Sequence, residues 1–158
     1  FSLLSLFFSP NVVSSSMSMT SLLLLLSFFP LVSSLVDQSA GVRGVLLCGD
    51  KPLANTKVKL YDDDAGLDLD DLLAEGLTDS LGQFLLHGYT SEIGTIDPKL
   101  NVYHDCDDGI KPCQRKATFW IPKDFVSTGQ HPSKYFDIGH VNMQTIFDGE
   151  SRDCFHRK

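Results

Sequence analysis

The first 36 residues contain no lysine, arginine, aspartate or glutamate; all 13 basic and all 20 acidic side chains of the 158 residues come later. That absence separates an apolar leader, residues 1–36, from a charged body, residues 37–158. The leader centres on the leucine run Leu22 to Leu26, extended by Phe28, Phe29, Leu31 and Val32. This is the length of a signal-peptide apolar region and falls short of the ~20 apolar residues that span a bilayer. Pro10, Pro30 and the serines between them interrupt any single long helix, which argues against a membrane anchor. Small residues follow at Ser33 and Ser34, so cleavage is expected between Ser34 and Ala40. Position 1 is not methionine and no basic residue precedes the apolar run; Met17 or Met19 is the expected start, with its amino group supplying the positive charge.

The body lacks any Cys-x-x-Cys pair, and its four cysteines (Cys48, Cys106, Cys113 and Cys154) do not show zinc-ligand spacing. An even number of cysteines in a short exported domain implies two disulfides. Three pairings are open. The favoured one joins Cys106 to Cys113, closing the Asp107–Pro112 loop between adjacent strands. It also joins Cys48 to Cys154, which requires the first and last strands to lie parallel and adjacent. Positive charge is scarce as well. A net charge of −7 argues against nucleic acid as a partner and makes an anionic membrane surface repel the body as a whole.

No long segment repeats with helical period, which excludes a helical bundle; alternation with period 2 is what the body shows instead. Val42, Gly44, Leu46 and Cys48 share one face of a first strand, and Gly49-Asp50-Lys51-Pro52 reads as a turn. Val58 and Leu60 alternate with Lys57 and Lys59. Thr78 to Gly82 reads as a second turn, followed by a strand with Phe84 and Leu86 inward. Leu100, Val102, His104 and Cys106 share a face, with Asn101, Tyr103 and Asp105 opposite. Ala117, Phe119 and Ile121 line the next strand, Pro122 to Pro132 is a long connection, and Ile138 to Phe147 alternates last. About seven short strands at regular spacing predict one all-β sandwich.

Basic residues are missing altogether between positions 60 and 98, a stretch holding ten acids. Residues 62–75 interrupt the alternation, and Leu67, Leu69, Leu72 and Leu73 suggest one short helical turn. The pattern does not fit an EF-hand loop. The expectation is therefore a solvated loop with no metal site, the alternative being calcium held by Asp62, Asp63, Asp64, Asp68, Asp70 and Asp71. Basic residues gather later, at Lys111, Arg115, Lys116 and Lys123 and near the end, which suggests either ordinary surface charge or a polarised molecule able to bridge two partners.

Trp120 points away from the inferred core. Either it forms an exposed strip with Thr118 and Lys116, or the 122–132 connection covers it. His104 is either a ligand or pH-sensitive group or a buried core histidine beside a disulfide. Trp120, Lys116, Tyr103 and His104 are the candidate binding residues. His87, His131, His140 and His156 show no paired spacing and read as surface residues.

The assembled segments resemble the nematode transthyretin-like family. The resemblance is carried by Val42-Arg43-Gly44-Val45-Leu46-Leu47-Cys48, Lys51-Pro52-Leu53-Ala54, Val58-Lys59-Leu60-Tyr61-Asp62 and Asp79-Ser80-Leu81-Gly82-Gln83-Phe84. It continues through Ile96-Asp97-Pro98-Lys99-Leu100, Tyr103-His104-Asp105-Cys106, Cys113-Gln114-Arg115-Lys116, Phe136-Asp137-Ile138-Gly139 and Asp153-Cys154. It implies a secreted, prealbumin-like (transthyretin-like) β-sandwich with no enzymatic role general to the family, and it gives no ligand. Relatives of that fold include a hydroxyisourate hydrolase, whose site uses a His and an Arg near the N-terminus, a second His and a C-terminal Tyr-Arg-Gly-Ser tetrad. This chain ends Cys154-Phe155-His156-Arg157-Lys158 and has no His near its first strand, so those acid–base roles have no holders. The expected function is a secreted extracellular binding protein without cofactor, engaging a small hydrophobic molecule, a lipid or a protein receptor. The alternative is a structural or adhesive module, and a hydrolase comes a distant third.

Overall fold

The computed structural model describes residues 34–64 and 70–155. The expected leader up to Ser33 lies outside the described residues, as do Asp68, Leu67, Leu69 and His156. Among the described residues no helix is long and apolar enough to cross a membrane.

Among the described residues, ten strands build two facing sheets. Sheet A is organised around β1 (Val36–Cys48), which pairs with β2 (Lys51–Pro52), β5 (Gln83–Glu92), β8 (Ser127–Thr128) and β9 (Phe136–Asn142). Sheet B runs in the order β10 (Ser151–Asp153), β7 (Gln114–Trp120), β6 (Pro98–His104), β3 (Lys57–Asp62) and β4 (Asp71–Leu77). All pairings are antiparallel except β1 with β9, which is parallel.

The inward rows are those the alternation predicts. Val42 and Leu46 of β1 and Phe84 and Leu86 of β5 face Val58, Leu60, Leu100, Val102, Ala117 and Ile121 of sheet B, all buried. Each such side chain contributes roughly 1.5–3 kcal/mol by leaving water, which makes this row the main source of stability. The second turn holds because Asp79 Oδ1 accepts the amides of Leu81 and Gln83, both at 2.8 Å.

Four expectations are corrected. The acidic segment does not form a helical turn where it is described, because Asp71–Leu77 is the edge strand β4, paired with β3 through a bulge at Leu60/Tyr61. The last expected strand ends at Asn142 instead of Phe147, and the chain then turns, with Thr145 N donating to Asn142 O at 3.1 Å. The 122–132 connection carries a short 3-10 turn (Lys123–Phe125) and the strand β8.

The disulfide pairing is the fourth. The structure joins Cys48 to Cys106 and Cys113 to Cys154, not Cys106 to Cys113. Cys106 is 4% exposed and continues the inward row, so it meets the end of β1 across the sandwich. Cys113 takes a positive φ of 69° and precedes Gln114, which is in register with Asp153 of β10, so its partner is Cys154. The first strand does lie parallel to β9, but Cys154 follows β10 in the opposite sheet.

Candidate functional site

The outer face of sheet A carries a local concavity beside the pairing of β1 with β9. Strand β9 follows β1 in register at Arg43↔Asp137, then skips, so that Val45 faces His140. Two residues, Ile138 and Gly139, oppose one on β1, and Gly139 adopts φ 69°, a left-handed conformation that glycine takes without strain. The bulge bends the edge of the sheet beside Gly44. A cavity of about 710 Å³ opens there, lined by Arg43 and Val45 of β1, Gln83 and Leu85 of β5, and Asp137 and His140 of β9. Leu85 is 60% exposed and presents an apolar side chain to this cavity.

Polar groups are fixed around this apolar floor. Arg43 Nε donates to Asp137 Oδ2 at 2.9 Å, and both side chains remain solvated. The Gly139 amide donates to Asp137 Oδ1, also at 2.9 Å. That amide bond, and then Arg43, hold the Asp137 carboxyl below the usual carboxylate range. Further along the same face, His87 lies 6.5 Å from His131 and edge-on to Tyr135 at 6.1 Å. Tyr135 lies over Gly41, where any Cβ would collide with its ring. The sequence places His87 and His131 far apart, and only the folding of the 129–135 segment onto β5 brings them together.

The four candidate binding residues do not form one site. Trp120, Lys116 and Tyr103 lie on the outer face of sheet B, but Trp120 pairs with Lys99 at one end while Lys116 pairs with Tyr103 at the other. Trp120 is 58% exposed, so the 122–132 connection leaves it uncovered, and Lys99 Nζ sits 5.5 Å from its ring centroid. Tyr103 is buried, and burial, more than any neighbour, pushes its hydroxyl above the usual tyrosine range.

His104 faces the interior. Its Nδ1 accepts the Cys106 amide at 3.3 Å, and Nε2 is buried with no partner among the described residues. Burial first, and then Arg115, lower its pKa to about 4. The ring is therefore neutral near pH 7, and titration around 6.5 is removed.

The basic residues are largely answered by acids. Arg115, 6% exposed, donates to the carbonyls of Cys106 (2.9 Å), Met143 (2.9 Å) and Thr145 (2.8 Å) and forms a two-point bond with Glu150. Arg152 and Lys111 both meet Asp108, and Lys123 reaches Asp97 at 2.8 Å.

The acidic segment sorts itself similarly. Lys99 takes Asp63 and Asp70, and Asp71 Oδ2 accepts from Thr90 at 3.2 Å. Asp62 and Asp64 instead meet Glu92, which lies outside the segment the sequence singles out.

The TTR-52: Transthyretin-like family matches residues 43–122. Three proteins of Caenorhabditis elegans are similar over most of the body. Transthyretin-like protein 33 is 76% identical over 120 residues, covering 76% of this chain and 84% of that protein. Transthyretin-like protein 5 is 52% identical over 119 residues, covering 75% of this chain and 86% of that protein. Transthyretin-like protein 46 is 46% identical over 131 residues, covering 82% and 73%. Among solved structures, a 9R-lipoxygenase from Cyanothece overlays with a TM-score of 0.37 and 24% identity over 70% of this chain and 16% of that one, too loosely to carry weight.

Proposed function

The chain belongs to the transthyretin-like family, and on that premise we propose that it is an extracellular binding protein whose ligand seats on the outer face of sheet A. The observation that carries this reading is the cavity of about 710 Å³ between β1, β5 and β9. A largely preformed concavity of this size, with an apolar floor and a few fixed polar groups, suits a small ligand. Val45 and Leu85 would take an apolar segment of the ligand. Arg43 and Asp137, solvated and already paired, would take its polar or charged head by exchange. An amphiphilic small molecule is the ligand class that fits both.

Two disulfides support an oxidising, extracellular setting. Cleavage of the leader belongs near Ser34, upstream of Val36. A cut at Ala40 would remove the β1 residues paired with β5 at Glu92 to Tyr89 and with β8. The bridging reading has less behind it, because Arg115, Arg152, Lys111 and Lys123 are paired.

The alternative, an adhesive module, draws on Ile110, Ile146 and Phe155, which stand exposed on loops at the disulfide end. Native mass spectrometry of the secreted protein separates the two. A bound small molecule lost on Leu85→Asp and retained on Ile146→Asp supports the binding face. A ligand-free protein whose cell-surface attachment is lost on Ile146→Asp supports adhesion.

A further inference from the structure

The end of the sandwich away from the disulfides breaks the core pattern. Val58, Leu60 and Asp62 alternate on the inward face of β3, and the first two are fully buried apolar residues. Asp62, third in that row, is 1% exposed. Its Oδ1 accepts the Asp97 amide at 2.7 Å, whereas its Oδ2 is buried with no partner among the described residues. In the facing sheet, Glu92 ends the inward row that begins with Phe84 and Leu86. Asp64 follows directly after β3. One carboxylate oxygen from each of Asp62, Asp64 and Glu92 lies within 4.8 Å of the other two.

Three carboxylates at one point, one of them out of water, are unfavourable unless a cation or protons answer them. The neighbouring cations are engaged: Lys99 holds Asp63 and Asp70, and Lys123 holds Asp97. Burial first, and then mutual repulsion, push the Asp62 and Glu92 carboxyls above the usual range.

We propose that Asp62, Asp64 and Glu92 form a calcium site spanning the two sheets. The donors are all carboxylate oxygens, which select a hard cation over zinc or copper. Asp64 and Glu92 are half-exposed, leaving room for water to complete the six to eight oxygens that calcium accepts in flexible geometry. Magnesium, smaller and strictly octahedral, fits such a set poorly. Asp62 comes from sheet B and Glu92 from sheet A, so the ion would cross-link the sandwich at the end opposite Cys48–Cys106.

The test uses the full chain, secreted and purified. Calcium chloride at ~5 mM should raise its melting temperature over chelated buffer by about 4–8 °C, given the affinities of about 10⁻⁴–10⁻³ M usual for extracellular modules. Magnesium chloride at the same concentration should give less than half that rise. Glu92→Gln should abolish the calcium increment while melting in chelated buffer at or above the parent temperature, since a repelling charge is gone. Asp50→Asn, in the turn at the far end of β1, should keep the increment. Calorimetry on the parent protein should read one calcium per chain, and it decides the matter if Glu92→Gln fails to fold. Equal effects of calcium and magnesium, a retained increment in Glu92→Gln, or no one-to-one binding overturn the proposal. None of these outcomes bears on the binding face of sheet A.

Discussion

The two outer faces of the sandwich have similar residue types and opposite fates. On sheet B, Lys59, Asn101 and Tyr103 are buried, and the polar groups bond to one another: Thr118 donates to Asn101 at 2.8 Å, and Lys59 pairs with Glu75 at 3.1 Å. Those polar groups are satisfied within the face, while Trp120 at one end of β7 stays 58% exposed. On sheet A, Leu85 stands exposed beside Val45, and Arg43 and Asp137 pair in solvent. Across β3, β6 and β7 the antiparallel register runs without a shift, and long side chains cover their neighbours. One skipped residue in a parallel edge pairing leaves a concavity that nothing in the sheet fills. The chemistry available to a ligand therefore follows backbone regularity more than residue type.

Substitutions can break that comparison in order of size. Replacing both Cys48 and Cys106 by alanine removes the cross-link between the sheets, which closes a separation of 58 residues. The expected loss is about 4 kcal/mol by chemical denaturation, with both faces disturbed. Removing Cys113–Cys154, which joins two strands within sheet B, should cost a similar amount by the same entropic argument but spare ligand binding on sheet A.

Acid gives the next effect. The folded-state pKa of His104 is about 4, below the 6.5 of an unperturbed ring, so the unfolded chain binds a proton that the folded chain refuses. Stability should be level above about pH 6.5 and fall by about 3 kcal/mol toward pH 4 on this account. In His104→Gln, this slope should be absent from denaturation curves recorded across that window.

On sheet B, Asn101→Ala strands the Thr118 hydroxyl and should lower stability by about 1–2 kcal/mol without touching ligand binding. Leu85→Asp on sheet A should do the reverse. An exposed position changes stability by less than about 0.5 kcal/mol, while the ligand is lost. If Asn101→Ala weakens binding and Leu85→Asp does not, the two faces have been assigned the wrong way round.

Much of this fold is legible in the chain, for a simple reason. Where one face is buried and the other wet, side chains alternate, and Val42/Leu46, Val58/Leu60, Phe84/Leu86 and Ala117/Ile121 announce the core. The family resemblance rests on the same segments. Strand β4 is hidden because its alternation lies inside a block of acids, and β10 is only three residues long. Missing β10 removed the natural partner for Cys113 and led to the wrong disulfides. Trp120 attracted attention by residue type, whereas the cavity depends on a bulge at Ile138–Gly139 that residue type does not mark. Glu92 escaped notice beside Asp62 because the two belong to different sheets. The signal that would have found the pair is an aspartate in the third place of an inward-facing row, where the pattern calls for an apolar residue.

Hydrogen–deuterium exchange tests the binding face most directly, comparing the protein as secreted with the same protein after its ligand is stripped. Slower exchange in the ligand-bound form, confined to residues 43–47, 83–87 and 136–141, is the predicted result. Protection at residues 114–120 of sheet B, with sheet A unchanged, would contradict it.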